Sequence, residues 1–65
     1  MGYNADFDVF RKEAGKPGYV AVGNGIKLPE YLTRLVNAGF VRRTRHIARN
    51  GASCYVATEK GRHLS

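Results

Sequence analysis

The stretch NAGFVRRTRHIARNGASCYVATEKGR, residues 37–62, decides the fold of this chain. β-Branched and aromatic side chains are frequent on both sides of the pair Asn50-Gly51. An Asn-Gly pair between two such runs is a strong signal for the turn of a β-hairpin. The stretch therefore predicts a β-hairpin over residues 40–58, and the arginines in its first half make that arm basic.

The register of the hairpin stays open in the sequence. With a two-residue turn, Ile47 would face Cys54 and Arg45 would face Val56. A turn longer by one residue would move the side chains of one strand to the opposite face.

Helices are predicted on both sides of the hairpin. Pro29 suits a first helical turn and Gly39 suits a helix stop, which predicts a helix over residues 28–38. The apolar residues of this helix share one side: Leu28, Leu32, Leu35 and Val36. After the hairpin, Thr58 is predicted to be the N-cap of a short helix over residues 59–64.

The other side of the helix over residues 28–38 is polar. Its residues follow the spacing i, i+3, i+4 and i+7 that places side chains on one face: Glu30, Thr33, Arg34 and Asn37. A polar helix face is most often simply solvated, so this face points to a function only in combination with other features.

Two segments precede this helix. Residues 4–14 are predicted to form an amphipathic helix whose apolar side includes Phe7 and Phe10. Residues 18–25 fit two structures: Tyr19 and its valine neighbours favour a strand, whereas an alanine followed four residues later by a glycine fits a helix and a tight turn. We interpret residues 18–25 as a helix by a small margin.

The positive charge lies in one part of the chain. The net charge is +6, residues 1–26 are balanced, and residues 27–65 hold eight Lys or Arg against two acidic residues. A one-sided basic surface attracts polyanions, of which nucleic acid is the commonest. The alternative is a basic face that only keeps the protein in solution.

The sequence offers little for other chemistry. It contains no carboxylate pair, no Ser/His/Asp order and no metal-ligand spacing that includes His46 or His63, so we expect no enzyme, catalytic residue, metal or cofactor. The lone Cys54 is interpreted as a packed side chain. Because no apolar run has the length of a membrane span, we expect a cytoplasmic protein with no membrane partner.

The order of these parts resembles the recognition helix and wing of the winged helix-turn-helix transcription regulators. The family's usual runs are Gly-Leu-Val-x-Arg and Tyr-x-Leu-Thr-x-x-Gly, which residues 39–43 and 55–61 follow with Phe40 and Ala57 in place of the leucines. The resemblance covers residues 28–64, and the region before it is shorter and richer in glycine than in the family. It implies one α+β domain over residues 1–65, with a small helical core and a C-terminal hairpin wing.

The resemblance also implies a DNA-binding site. A helix fits the major groove, where Thr33, Arg34 and Asn37 would reach base edges. Lys27 and the hairpin arginines would contact phosphates, and the hairpin tip would enter a minor groove. The residues expected to bind DNA are Lys27, Thr33, Arg34, Asn37, Arg42, Arg43, Arg45, Arg49 and Asn50.

The first hypothesis for function is a sequence-specific double-stranded DNA-binding protein, a transcription regulator or a recombination accessory factor. The alternative is a winged-helix interaction module or inhibitor that docks its basic face on an acidic partner such as a polymerase or nuclease. RNA binding is the third hypothesis. A protein-docking helix would more often expose aromatic residues than Thr, Arg and Asn. Monomer and weak dimer both remain open.

Overall fold

The computed structural model describes residues 3–64. The elements follow in the order α1 (Tyr3–Ala14), β1 (Tyr19–Val22), α2 (Glu30–Ala38), β2 (Val41–Ile47), β3 (Ser53–Ala57) and α3 (Glu59–Arg62). The strands form an antiparallel sheet in which β3 is central and β1 and β2 are the edges. The described chain is therefore a small α+β fold.

The core lies between the two longer helices and the sheet. From the helices it receives Phe7, Phe10, Ala14, Leu32 and Leu35, and from the sheet Val41 and Tyr55. Both leucines are completely buried, and burying one such side chain stabilises a fold by about 1.5–3 kcal/mol. The apolar sides predicted for the two helices are confirmed.

The bounds of α2 follow from the residues at its ends. Pro29 has an extended backbone, with φ −56° and ψ 147°, so the helix begins at Glu30 and not at residue 28. Gly39 adopts the left-handed conformation, with φ 84°, which glycine reaches without steric cost. The N–H groups of Gly39 and Phe40 donate to the carbonyl oxygens of Val36 and Leu35, so the predicted stop is confirmed.

The helix predicted within residues 18–25 is wrong. Tyr19–Val22 is a strand that pairs with β3, with Val20 opposite Tyr55. Residues 23–29 contain no helix, so α2 is not preceded by a helix and a tight turn. The physical reason is tertiary: the strand completes hydrogen bonding along one side of β3, and Val20 and Val22 pack against the core.

The predicted hairpin is confirmed, and its register differs from that of a two-residue turn. Ile47 pairs with Ser53 and not with Cys54, because the N–H of Ala48 donates to the carbonyl oxygen of Ala52 and closes a wider loop. Gly51 supplies a left-handed residue within that loop, with φ 82°.

A bulge interrupts β2. Arg43 pairs with Tyr55 and Ile47 with Ser53, so residues 44–46 lie opposite Cys54 alone. The hydroxyl of Thr44 accepts a hydrogen bond from the N–H of His46 at 3.2 Å within the bulge. Arg45 therefore has no partner in the ladder, so the pairing with Val56 that a two-residue turn would give does not occur.

The predicted N-cap of the last helix is confirmed. The Thr58 hydroxyl accepts from the N–H of Gly61 at 3.1 Å and donates to the carbonyl oxygen of Gly39 at 2.6 Å. Gly61 is buried, and a Cβ added there would collide with the carbonyl oxygen of Phe40. The Thr-x-x-Gly spacing thus fastens α3 to the end of α2. The helix ends at Arg62, before the predicted residue 64.

The helices described for residues 3–64 include none with the length and apolar character that a membrane crossing requires.

Candidate nucleic-acid interface

The exposed side of α2 carries two of the predicted base-contacting residues without tertiary contacts. Asn37 is exposed and makes no side-chain hydrogen bond within residues 3–64. Thr33 is also exposed, and its hydroxyl donates to the carbonyl oxygen of Pro29 at 3.2 Å. The Thr33 oxygen can still accept a hydrogen bond from outside, whereas the Asn37 amide can both donate and accept.

Arg34 differs from these two because its guanidinium is already bound within the protein. Its Nε and Nη2 each donate to a carboxylate oxygen of Asp6 at 2.8 Å, a bidentate pair that joins α2 to α1. The Asp6 side chain is 10% exposed and that of Arg34 is 52% exposed. Nη1 lies 3.7 Å from Glu30. Arg34 therefore fixes how α2 sits on α1.

The hydrogen bonds from Arg34 lower the pKa of Asp6 below its ordinary value, against the opposing effect of desolvation. The same hydrogen bonds raise the pKa of Arg34. Both groups are thus charged at neutral pH. No local pattern in the sequence indicates this contact beyond two opposite charges, because the partners lie 28 positions apart in different helices.

The hairpin arginines are exposed and unpaired. Arg42, Arg43 and Arg45 lie on β2 and Arg49 lies in the loop, and none of them forms a salt bridge within residues 3–64. Unpaired guanidinium groups in water are available for phosphate oxygens.

Two of these arginines point to opposite faces of the sheet. Arg43 is paired with Tyr55, which belongs to the core, so it lies on the face that the helices cover. Arg42 is paired with Val56 on the other face. Because neighbouring strand residues alternate between faces, a flat anionic surface meets only one of the two side chains.

The tip of the hairpin is ordered by its own asparagine. The side-chain oxygen of Asn50 accepts from the N–H of Ala52 at 3.1 Å, and Ala52 is buried. The Asn50 amide group is exposed, and Arg49 lies beside it. The turn therefore presents Arg49 from a fixed backbone.

Two lysines outside the hairpin are also exposed, and they lie in different parts of the fold. Lys27 is exposed in the loop that leads into α2, as the sequence predicts. Lys60, which sequence reasoning did not select, donates from Nζ to the carbonyl oxygen of Ala38 at 2.9 Å and lies 4.9 Å from the Phe40 ring. Lys60 thus caps α2, where a cation also complements the negative end of the helix dipole.

The basic hairpin and α2 are adjacent, because Gly39 and Phe40 join them and α2 packs against β2. Cys54 is buried, in agreement with its interpretation as a packed side chain. Within the described part of the chain, no three His, Cys, Asp or Glu residues are grouped so as to hold a metal ion.

Comparisons with known proteins add no relative. No protein-family model, curated protein or solved structure matches this chain. The assignment of the site therefore depends on its own residues.

Proposed function

We propose that this chain binds double-stranded DNA and acts as a small transcription regulator or a recombination accessory factor. In this proposal α2 enters the major groove and the hairpin of β2 and β3 is the wing of a winged-helix arrangement. The observation that carries it is the set of exposed arginines that have no acidic partner within residues 3–64: Arg42, Arg43, Arg45 and Arg49.

Phosphate contact accounts for such a surface. Each Lys or Arg that neutralises a phosphate releases a condensed counterion, and this gain is available on any sequence. A net charge of +6 concentrated after residue 26 provides the long-range attraction that precedes contact. The hairpin therefore supplies most of the affinity.

Sequence selectivity is assigned to Asn37 and Thr33. Asn forms two hydrogen bonds with adenine in the major groove, and Thr contacts base edges or a thymine methyl group. In this proposal Arg34 is assigned the role of positioning α2, because its Nε and Nη2 are bonded to Asp6, whereas the sequence had indicated a contact with a base. Lys27, at the entry to α2, is assigned to a phosphate.

A second candidate function is docking on an acidic protein partner such as a polymerase or nuclease. The engagement of Arg34 by Asp6 favours it, because the exposed polar face of α2 then offers Thr33, Asn37 and the acidic Glu30, and no free cation, for reading bases. A short, strongly basic hairpin also suits an acidic protein surface.

The experiment that tests the first function is sequence enrichment from random duplex DNA, followed by gel shifts at two salt concentrations. We expect an enriched sequence, weaker binding at the higher salt, and duplex RNA that competes poorly. Binding with no enriched sequence would contradict the assignment of α2. No binding at the lower salt would contradict the DNA proposal and favour the protein partner.

A further inference from the structure

The strand β1 leaves one edge of the sheet open. It pairs with β3 on one side, and no strand within residues 3–64 pairs with the other side. A groove beside it is lined by three consecutive strand residues: Val20, Ala21 and Val22. Since consecutive side chains point to opposite faces, what these residues share is the backbone edge. The groove is bounded on its other side by Glu13, Tyr31 and the loop after β1. Because only one side of β1 is paired, the other side carries backbone groups that can pair with another strand.

The two edges of the sheet differ in their protection. Natural edge strands avoid pairing with other chains through charged side chains, bulges and proline. β2 has a bulge and three exposed arginines. β1 has the sequence YVAV and none of these features, and two large apolar side chains are exposed near it, Tyr19 at 39% and Ile26 at 66%. The edge of β1 is therefore fit for pairing.

The charge around this edge suits a second copy of the chain. The groove contains one acid and one base, Glu13 and Lys27, and the segment up to residue 26 is neutral overall. The balanced charge at this edge adds no local repulsion between two copies, whereas the arginines of two β2 edges would repel. An acidic peptide would bind the basic hairpin in preference to this groove, because the groove is neutral.

We propose that two copies pair through β1, antiparallel about a twofold axis, to form one six-stranded sheet. The interface is isologous, since each copy offers the same edge. Both outer edges of the combined sheet are β2, so association stops at the dimer. A strand of four residues gives a small interface, so the dimer dissociates on dilution.

The test is sedimentation equilibrium of the whole chain, without DNA, from micromolar to millimolar concentration. We expect a reversible equilibrium between monomer and dimer, with no larger species. Ala21→Lys is expected to weaken association by about tenfold or more, because like charges would face each other across the axis. Ala21 is exposed, so circular dichroism should stay that of the parent. The matched control is Ala5→Lys, which adds the same charge at an exposed position of α1.

Hydrogen exchange gives an independent measurement. Amides of Tyr19–Val22 that point away from β3 should exchange more slowly as protein concentration rises. A monomer at every concentration, growth beyond the dimer, or equal effects of Ala21→Lys and Ala5→Lys would overturn the proposal. Since no DNA is present, such a result would leave the proposed DNA binding in place.

Discussion

At the scale of single residues, Gly61 makes a contact that no other residue type fits. An added Cβ would meet the carbonyl oxygen of Phe40 and would lie 3.1 Å from the Phe7 ring. Alanine favours a helix over glycine by about 1 kcal/mol, yet we expect Gly61→Ala to lower the free energy of unfolding by about 1–3 kcal/mol. Urea denaturation measures this change.

The control for Gly61 is Gly23→Ala, because Gly23 also lacks a positive φ and its added Cβ would meet only Cγ1 of Ile26, an exposed side chain, at 3.1 Å. A flexible side chain can move, so the destabilisation at Gly23 should be much smaller. Equal destabilisation at the two positions would contradict the packing argument at Gly61.

The pair of Asp6 with Arg34 predicts a dependence of stability on pH. The pKa of Asp6 is lowered in the folded state, so the pair stabilises the fold above the ordinary pKa of aspartate. This contribution disappears as pH falls through the lowered pKa. Asp6→Asn should therefore lower the free energy of unfolding at neutral pH. As the pH falls, the free energies of unfolding of the variant and the parent should become more similar.

Urea denaturation at a series of pH values tests this prediction. Asp8→Asn is the matched control, because Asp8 is exposed and forms no salt bridge within residues 3–64. If the free energy of unfolding of Asp6→Asn differs from that of the parent by the same amount from neutral to acid pH, the loss of the ion pair does not cause the difference.

At the scale of elements, α2 carries the prediction about sequence selectivity. Asn37→Ala should weaken binding to the preferred DNA sequence by about 1–3 kcal/mol, the value of one good bidentate contact with a base, and should change non-specific binding much less. Competition gel shifts with specific and random duplexes measure both effects. If Asn37→Ala weakened binding equally on all DNA sequences, the proposal that α2 recognises bases would be contradicted.

Arg34→Ala should also weaken specific binding, either because Arg34 positions α2 or because it contacts a base. The variant Asp6→Asn distinguishes these two roles. If Arg34 positions α2, Asp6→Asn should reduce specific binding as Arg34→Ala does, because either change removes the charged, bidentate bond to α1. If Arg34 itself reaches a base, Asp6→Asn should leave specific binding intact or improve it by releasing the guanidinium.

The elements with local signals could be predicted from the sequence. The spacing of Phe7 and Phe10, the stop at Gly39 and the cap at Thr58 each arise from neighbouring residues, and all are confirmed. The local sequence of β1 could not distinguish a strand from a helix, because the strand depends on pairing with β3, more than 30 positions away.

Local sequence patterns could not predict two other features, the bulge in β2 and the bond between α1 and α2. The bulge at residues 44–46 shifts the hairpin register between Ile47 and Arg43, and nothing in the residues of β2 fixes where a bulge occurs. The bond between Asp6 and Arg34 joins two helices whose relative rotation depends on the whole core. It engages a predicted site residue, Arg34, within the protein, and the residues next to either partner do not indicate that contact.

At the scale of the whole molecule, size limits the contact that the proposed DNA binding can make. The longest extent of the chain is 34 Å, which is about one helical turn of B-DNA. One copy can therefore cover one major groove and an adjoining minor groove. A dimer through β1 would place two basic hairpins at opposite ends of one sheet, with the neutral halves between them.

The hairpin arginines predict how binding depends on salt. Removing one arginine that neutralises a phosphate of duplex DNA should reduce the slope of log affinity against log salt by about 0.9, and should weaken binding to every sequence alike. Arg42 and Arg43 point to opposite faces of the sheet, so a hairpin that lies on DNA by one face should show a reduced slope with only one of Arg42→Ala and Arg43→Ala.

Salt titrations of single alanine variants at Arg42, Arg43, Arg45 and Arg49 provide the measurement. Lys16→Ala is the control, since Lys16 is an exposed cation in the neutral part of the chain. Equal reductions in slope for Arg42→Ala and Arg43→Ala would require DNA to touch both faces, as when the hairpin inserts into a groove. Should all four variants keep the parent's affinity and slope, the hairpin does not bind phosphate, and the acidic protein partner becomes the better explanation of its charge.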